Sequence, residues 1–588
     1  MKSFLKYTLA TIVGVILAGL LFFLIFFTTI GTIMSKQDKP VEIEPNTVLK
    51  VELDNIIMDR SPKNPFENFD FQSLKPQKSL GLNEILANIE KAGKDENIKG
   101  IYLELTAIPA GMATIEEIRE ALLEFKETGK FIIAYSDDYL QTSYYLASTA
   151  DKIYVNPAGR VNLTGLNSQV MFFKDALDKL GVEPQIIRHG KFKSAIEPFT
   201  RKEMSDENRT QIMEYVSDLW NKMAEGIADQ RRINIKNING LTEELALEDA
   251  DAALENNFID GLKYKDEIFR ELKDSSKTDK DDAQFVNLKQ YNRVPKIKEH
   301  KGLAKDKIAV VYAMGSVIMG EGGEGTIGSD RISGAIREAR KDSSIKAIVF
   351  RVNSGGGSAL ASEVIWRELK LAGETKPVIA SLGDVAASGG YYIVAPADTI
   401  VANPNTITGS IGVFGIIPNA KELMNDKLGI HVDVAKTHEH SDIGSPFRSL
   451  TASERQVIKN GIEDVYDTFV GRVADGRNMT KEEVDEIGQG RVWSGIDAKK
   501  IGLIDLLGGM NKAVDLASEK AKLKKYRVVE LPKLKDPFEQ FMKQFTVSAK
   551  AQIIKSSLGD NYRYYEQIEE IKNMSGIQAR IPYKIDIY

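Results

Sequence analysis

One long stretch of this chain is written twice, 247 positions apart. Ile98-Lys99-Gly100-Ile101 is answered by Ile345-Lys346-Ala347-Ile348. Ala150-Asp151-Lys152-Ile153-Tyr154-Val155-Asn156-Pro157 is answered by Ala397-Asp398-Thr399-Ile400-Val401-Ala402-Asn403-Pro404. A period this long makes each copy a whole folding unit, and 588 residues are too many for one core. The copies keep the same frame but not the same loops. The second reads Asn353-Ser354-Gly355-Gly356-Gly357-Ser358 and then Ala386-Ala387-Ser388-Gly389-Gly390. At the aligned places the first has Thr106-Ala107-Ile108-Pro109 and Gln141-Thr142-Ser143. Two halves with different jobs are expected.

Within each copy the hydrophobic period alternates between strand and helix. Val48 to Leu53, Ile98 to Leu105 and Phe131 to Tyr135 read as strands, with helix faces at Ile85, Ile89 and Ala92 and at Ile115, Ile118, Leu122 and Phe125. The second copy repeats the order with Ile308 to Tyr312, Ile348 to Val352 and Val378 to Ser381 as strands. This alternation predicts an α/β chain of two tandem units with mainly parallel sheets. The expected bounds are 47–272 and 305–525, joined by a polar linker over 273–304 and followed by a tail over 526–588.

Lys2 and Lys6 precede an uncharged run over 7–35. That run exceeds the roughly 20 residues needed to cross a bilayer, and signal-peptide cores run only to about 15. It reads as an uncleaved anchor in membrane lipid, the alternative being a long signal peptide that is removed. The leading lysines favour a cytoplasmic N-terminus, although Lys36 and Lys39 on the other flank pull against that orientation. Cysteine is absent, which excludes disulfides and thiolate chemistry. A net charge of -6 with no basic stripe argues against nucleic acid as a partner.

Ser388 lies among small residues at a predicted strand-to-helix turn, where substrate can come close and free helical N–H groups can meet an oxyanion. The same small residues would also suit plain strand-helix packing. The Asn353–Ser358 loop follows the neighbouring strand, so both loops fall at the carboxyl edge of one parallel sheet, where such sheets bind ligands. A serine needs a base. Nothing in the sequence couples His189, His300, His431, His438 or His440 to Ser388, and His438-Glu439-His440 lacks further metal ligands. A buried lysine could serve, but the 78 Lys and Arg residues leave the choice open.

The pairing of Asn353–Ser358 with Ala386–Tyr392, on a duplicated chain behind an apolar run, resembles the long form of the bacterial signal peptide peptidase A family. Gly190-Lys191-Phe192-Lys193-Ser194-Ala195-Ile196-Glu197-Pro198-Phe199 resembles the segment that carries that family's catalytic lysine. The resemblance implies a Clp protease/crotonase-like fold and a membrane-anchored Ser/Lys endopeptidase without cofactor or metal. Its substrates would be hydrophobic peptides, such as signal-peptide remnants. It would be a homotetramer in the bacterial inner membrane, with the catalytic part on the periplasmic side. Carried over, Ser388 is the nucleophile, Lys193 the general base, Gly356 and Gly389 the oxyanion-hole donors, and Ser410 the residue that orients the lysine. One position departs: Gly355 stands where the family usually has proline, so a looser loop is expected.

Lys193 lies in the first unit and Ser388 in the second, so the site is expected where the units meet. Gln141 takes the place of Ser388 in the first unit, and the segment 438–447 of the second, where Lys193 would align at His440, contains no lysine. Lys191 is the rival base, since in a strand it would share a face with Lys193. Glu197 reads as a surface or salt-bridged residue. A crotonase-type acyl-CoA enzyme and a catalytically decayed scaffold are the alternative functions.

Overall fold

The computed structural model describes residues 41–61, 80–247, 249–295, 304–534 and 577–581, with parts of 4–21 and the pairs 69–70 and 75–76. The first unit contains β1 (Thr47–Val51), α1 (Leu82–Lys94), β2 (Ile98–Glu104), α2 (Met112–Glu127), β3 (Phe131–Ser136), α3 (Gln141–Ala147), β4 (Lys152–Val155), β5 (Glu183–His189), α4 (Asp206–Arg231), β6 (Gly261–Leu262) and β7 (Gln284–Asn287). The second contains β8 (Lys307–Met314), β9 (Ser316–Ile318), β10 (Thr326–Gly328), α5 (Ser329–Lys341), β11 (Ile345–Ser354), β12 (Gly356–Ser358), α6 (Ala359–Gly373), β13 (Val378–Ala387), α7 (Gly389–Val394), β14 (Thr399–Ala402), β15 (Ile407–Gly409), β16 (Val413–Asn419), α8 (Ala452–Arg477), β17 (Val492–Ser494), β18 (Leu506–Leu507) and β19 (Arg527–Leu531). A last strand, β20, covers Ile577–Arg580.

The first sheet runs β6-β4-β3-β2-β1-β7, all parallel. The second runs β17-β15-β13-β11-β8-β19, with β14 also pairing with β13 and β18 pairing with β14. Its pairs are parallel except β15 with β17. The central strands are buried almost throughout, as parallel strands covered on both faces must be.

Duplication extends to details that periodicity cannot show. The same register shift falls after Thr47 and after Lys307. Asp151 accepts the Ile132 N–H at 2.8 Å, and Asp398 accepts the Val378 N–H at 2.8 Å. The Tyr144 hydroxyl donates to Phe258 O at 2.7 Å, and Tyr391 to Leu503 O at 2.6 Å.

The units are fused through a third sheet, in the order β10-β9-β12-β20-β16-β5. β5 of the first unit runs antiparallel to β16 of the second, from His189↔Val413 to Glu183↔Asn419. A buried ionic cluster lies across the same boundary. Arg351 sits 2.7 Å from both Asp59 and Glu117, and Asp384 accepts the Thr114 N–H at 2.9 Å and its hydroxyl at 2.7 Å. Burial alone would lower the Arg351 pKa, but the two carboxylates outweigh it and hold the group charged.

Three segments differ from expectation. The stretch read as a polar linker holds β7 and a short helix, Leu288–Tyr291, both packed on the first unit. Val286, Leu288 and Tyr291 are buried there, a minority of apolar residues that charged neighbours hide from a composition reading. The tail contributes β19 to the edge of the second sheet and β20 to the third. Most of the apolar run at 7–35 lies outside the described residues, and among those described no helix is long and apolar enough to cross a membrane.

Candidate active site

β13 ends at Ala387, and the chain turns at Ser388 directly into α7. Ser388 has φ 56° and ψ -118°, a conformation that costs a non-glycine residue about 1–3 kcal/mol. Backbone bonds hold the elbow: Ser388 N donates to Gly409 O at 2.8 Å, and Tyr392 N donates to Ser388 O at 2.8 Å. The serine is fully buried.

Lys193 arrives from the first unit. β5 stops at His189, and Gly190, at φ 101°, turns the chain out of the strand. Lys191 and Lys193 therefore do not share a strand face. Lys191 is exposed, with its ammonium over the Phe192 ring, while Lys193 is 1% exposed. Lys193 Nζ lies 2.7 Å from Ser388 Oγ, 3.1 Å from Ser410 Oγ and 3.2 Å from Ser410 O. A neutral amine has two N–H donors and one lone pair. The two contacts to Ser410 use the donors and leave the lone pair for the Ser388 proton. Burial drives the Lys193 pKa well below its ordinary 10.5, since an ammonium in this setting loses its hydration. Ser410 is held in turn: its N–H donates to Arg491 O at 2.6 Å and its hydroxyl to Gly490 O at 3.2 Å.

The second unit also supplies the seat of the lysine turn, which sequence reasoning missed. Phe192 N donates to Gln489 O at 2.9 Å. Gly490 has φ 83°, and a Cβ there would lie 2.6 Å from Lys193 Cα. The run Gly488-Gln489-Gly490 is the only sequence signal, and nothing in it points to a lysine 297 positions earlier.

The glycine loop differs from expectation in one atom. The Gly356 N–H donates to Ser354 Oγ at 3.0 Å, and that hydroxyl donates to Gly315 O at 2.6 Å. The Gly356 amide is thus used inside the loop. The next nitrogen, of Gly357, lies 3.1 Å from where a Cβ on Gly389 would be. Gly356 has φ 96°, and a side chain there would come within 2.7 Å of Gly389 N, so glycine is required on both counts.

Several of the remaining candidates have structural partners. His189 Nδ1 is 2.5 Å from a Glu463 carboxylate oxygen, and its ring stacks on Tyr466. His440 meets Glu454, while His431 and His438 are exposed. His300 lies outside the described residues. Gln141 opens α3, and its amide donates to Gly165 O at 3.0 Å. Glu197 is not exposed, and among the described residues it has no ion-pair partner. It is buried and accepts from the Ser205 and Asn208 groups that start α4.

A buried serine on a strained elbow, facing a buried lysine and bordered by a glycine loop, has the parts of a serine hydrolase. The model of Peptidase family S49 matches the chain twice, at residues 124–279 and 370–524. Protease 4 of Salmonella typhi is 38% identical over 457 residues, spanning 76% of this chain and 73% of that protein. Protease 4 of Haemophilus influenzae is 37% identical over 75% of this chain and 73% of its own length. The chloroplastic serine protease SPPA of Arabidopsis thaliana is 33% identical over 85% of this chain and 74% of its own length. The chain belongs to Peptidase family S49 and is a serine peptidase.

Proposed function

We infer that Lys193 and Ser388 form the catalytic dyad of a membrane-anchored endopeptidase that cuts hydrophobic peptides, signal-peptide remnants among them. The 2.7 Å contact between Lys193 Nζ and Ser388 Oγ, made across the two units in a fully buried setting, carries this reading. Lys193 takes the Ser388 proton as the hydroxyl attacks a peptide carbonyl. The proton passes to the leaving amine, and water then frees the acyl-enzyme. Ser410 aims the lysine. The N–H groups of Gly357 and Gly389 hold the oxyanion, Gly357 taking the part first expected of Gly356.

The apolar run at 7–35 supports an anchor in the bacterial inner membrane with the catalytic part on the periplasmic side. Repeat symmetry supports an oligomer. The second-unit counterpart of β5 is 430–436, where Ile430, Val432 and Val434 are exposed at alternate positions. The first-unit counterpart of β16 is 166–172, and neither counterpart is a strand within this chain. Pairing the two between copies joins them head to tail, and closing that series gives a ring, which the family resemblance puts at four copies.

A serine-directed fluorophosphonate tests the dyad. Wild type takes up the label, and Ser388→Ala and Lys193→Ala do not. Equal labelling of wild type and Ser388→Ala contradicts the assignment.

A further inference from the structure

One buried side chain grips the lysine turn from a helix that the dyad does not use. Ser205 caps α4 by accepting the Asn208 N–H at 3.1 Å. Gln211, on the same helix, is 1% exposed. Its amide nitrogen lies 3.3 Å from Phe192 O and 3.0 Å from Ser194 Oγ, the residues on either side of Lys193. Its oxygen accepts the Val492 N–H at 3.2 Å. Val492 opens β17 and pairs with Gly409, and its neighbour Arg491 carries the carbonyl that holds Ser410. Gln211 therefore ties the turn that bears Lys193 to the strand that seats Ser410, across the boundary between the units.

The amide can point only one way. Its nitrogen also meets Asn208 Oδ1 at 3.1 Å, so acceptors lie on one side of it and a backbone donor on the other. Glu197 sets the direction. Its Oε2 already accepts the Ser205 N–H at 3.1 Å, so Asn208 turns its nitrogen to that oxygen, at 3.0 Å, and its own oxygen to Gln211. Glu197, Asn208 and Gln211 are all buried, where a broken link leaves polar groups unpaired.

The duplication separates this chain of bonds from the frame. Thr451 caps α8 as Ser205 caps α4. Counted from those caps, the second unit has Val457 in place of Gln211 and Ile443 in place of Glu197, and both are exposed. The helix forms without the amide, and the amide occurs in the copy that holds the base.

We propose that Gln211 is a positioning residue for the reaction: aimed by Glu197 and Asn208, it holds the lysine turn so that Lys193 stays 2.7 Å from Ser388 and shielded from water. This rests on the dyad reading above. The full-length chain is compared as wild type, Gln211→Met, Ser194→Ala and Lys193→Ala. Each is assayed for steady-state hydrolysis of a fluorogenic hydrophobic peptide across pH, with thermal unfolding on the same preparation. Gln211→Met keeps the length of the side chain and removes its bonds. Its kcat should fall by about tenfold or more with KM within about twofold of wild type, because the base moves and the groove does not. The midpoint of its pH profile should rise by about one unit, because a loosened turn lets water reach Lys193. Ser194→Ala should change both in the same direction by less. The proposal is overturned if folded Gln211→Met keeps the wild-type kcat or the wild-type midpoint, or if its loss lies in KM. Should Gln211→Met fail to fold, the same readings on Ser194→Ala decide. Normal hydrolysis by Lys193→Ala overturns the dyad reading instead.

Discussion

At the scale of single residues, chemistry and stability pull in opposite directions at Lys193. Its pKa in the folded chain lies well below 10.5, whereas unfolded it returns to about 10.4. Between those values the unfolded chain binds more protons, so this group makes stability rise with pH across that window and is a cost at neutral pH. Lys193→Met is therefore expected to raise Tm, by on the order of 1 kcal/mol of added stability, while abolishing peptide hydrolysis. Thermal unfolding and a peptide assay on one preparation check this. Ser388 carries a related burden in its backbone. Ser388→Gly is expected to stabilise the fold by about 1 kcal/mol and to be inactive, as denaturant titration and the same assay would show. Ser388 could be read from its small neighbours and its place after a strand. Lys193 needed the family segment, because burial and the 2.7 Å contact are tertiary facts with no local signature.

At the scale of elements, the lysine turn depends on a loop that the sequence does not mark. Gly490 lies against Lys193 Cα and has a positive φ. Gly490→Ala is expected to cost about 1–3 kcal/mol and to cut kcat by at least tenfold with little change in KM, since it shifts Lys193 rather than the groove. Steady-state kinetics and denaturant titration separate the two effects. Strands and helices with strong periodicity were legible, as in β2, β3, β11 and β13. β7 was not, because its few buried residues sit among charges. β20 was not, because it is short and takes its partners from the active-site loop rather than from neighbours in sequence. That the Gly356 amide is taken up by Ser354 Oγ was not legible either, because a motif fixes residue types and leaves open which amide its own serine consumes.

At the scale of the whole molecule, the two copies are complementary halves of one site. The pairing of β5 with β16 and the Arg351 cluster hold them together. Removing Arg351 leaves Asp59 and Glu117 buried without their cation, so Arg351→Ala is expected to cost about 3–5 kcal/mol and to lose activity with the fold. Equilibrium unfolding measures it. The duplication made two units legible, but not that the first reaches into the second through one strand and one turn. The central claim is that Lys193, uncharged, is the base for Ser388. It is tested most directly by the pH dependence of peptide hydrolysis in wild type, Lys193→Arg and Ser388→Ala. The expected profile rises to a plateau, with a midpoint well below 10.5 in wild type. Both variants should fall by on the order of 10⁴- to 10⁶-fold, since arginine cannot give up its proton. A wild-type midpoint at or above 10.5, or near-normal hydrolysis by Lys193→Arg, would contradict it.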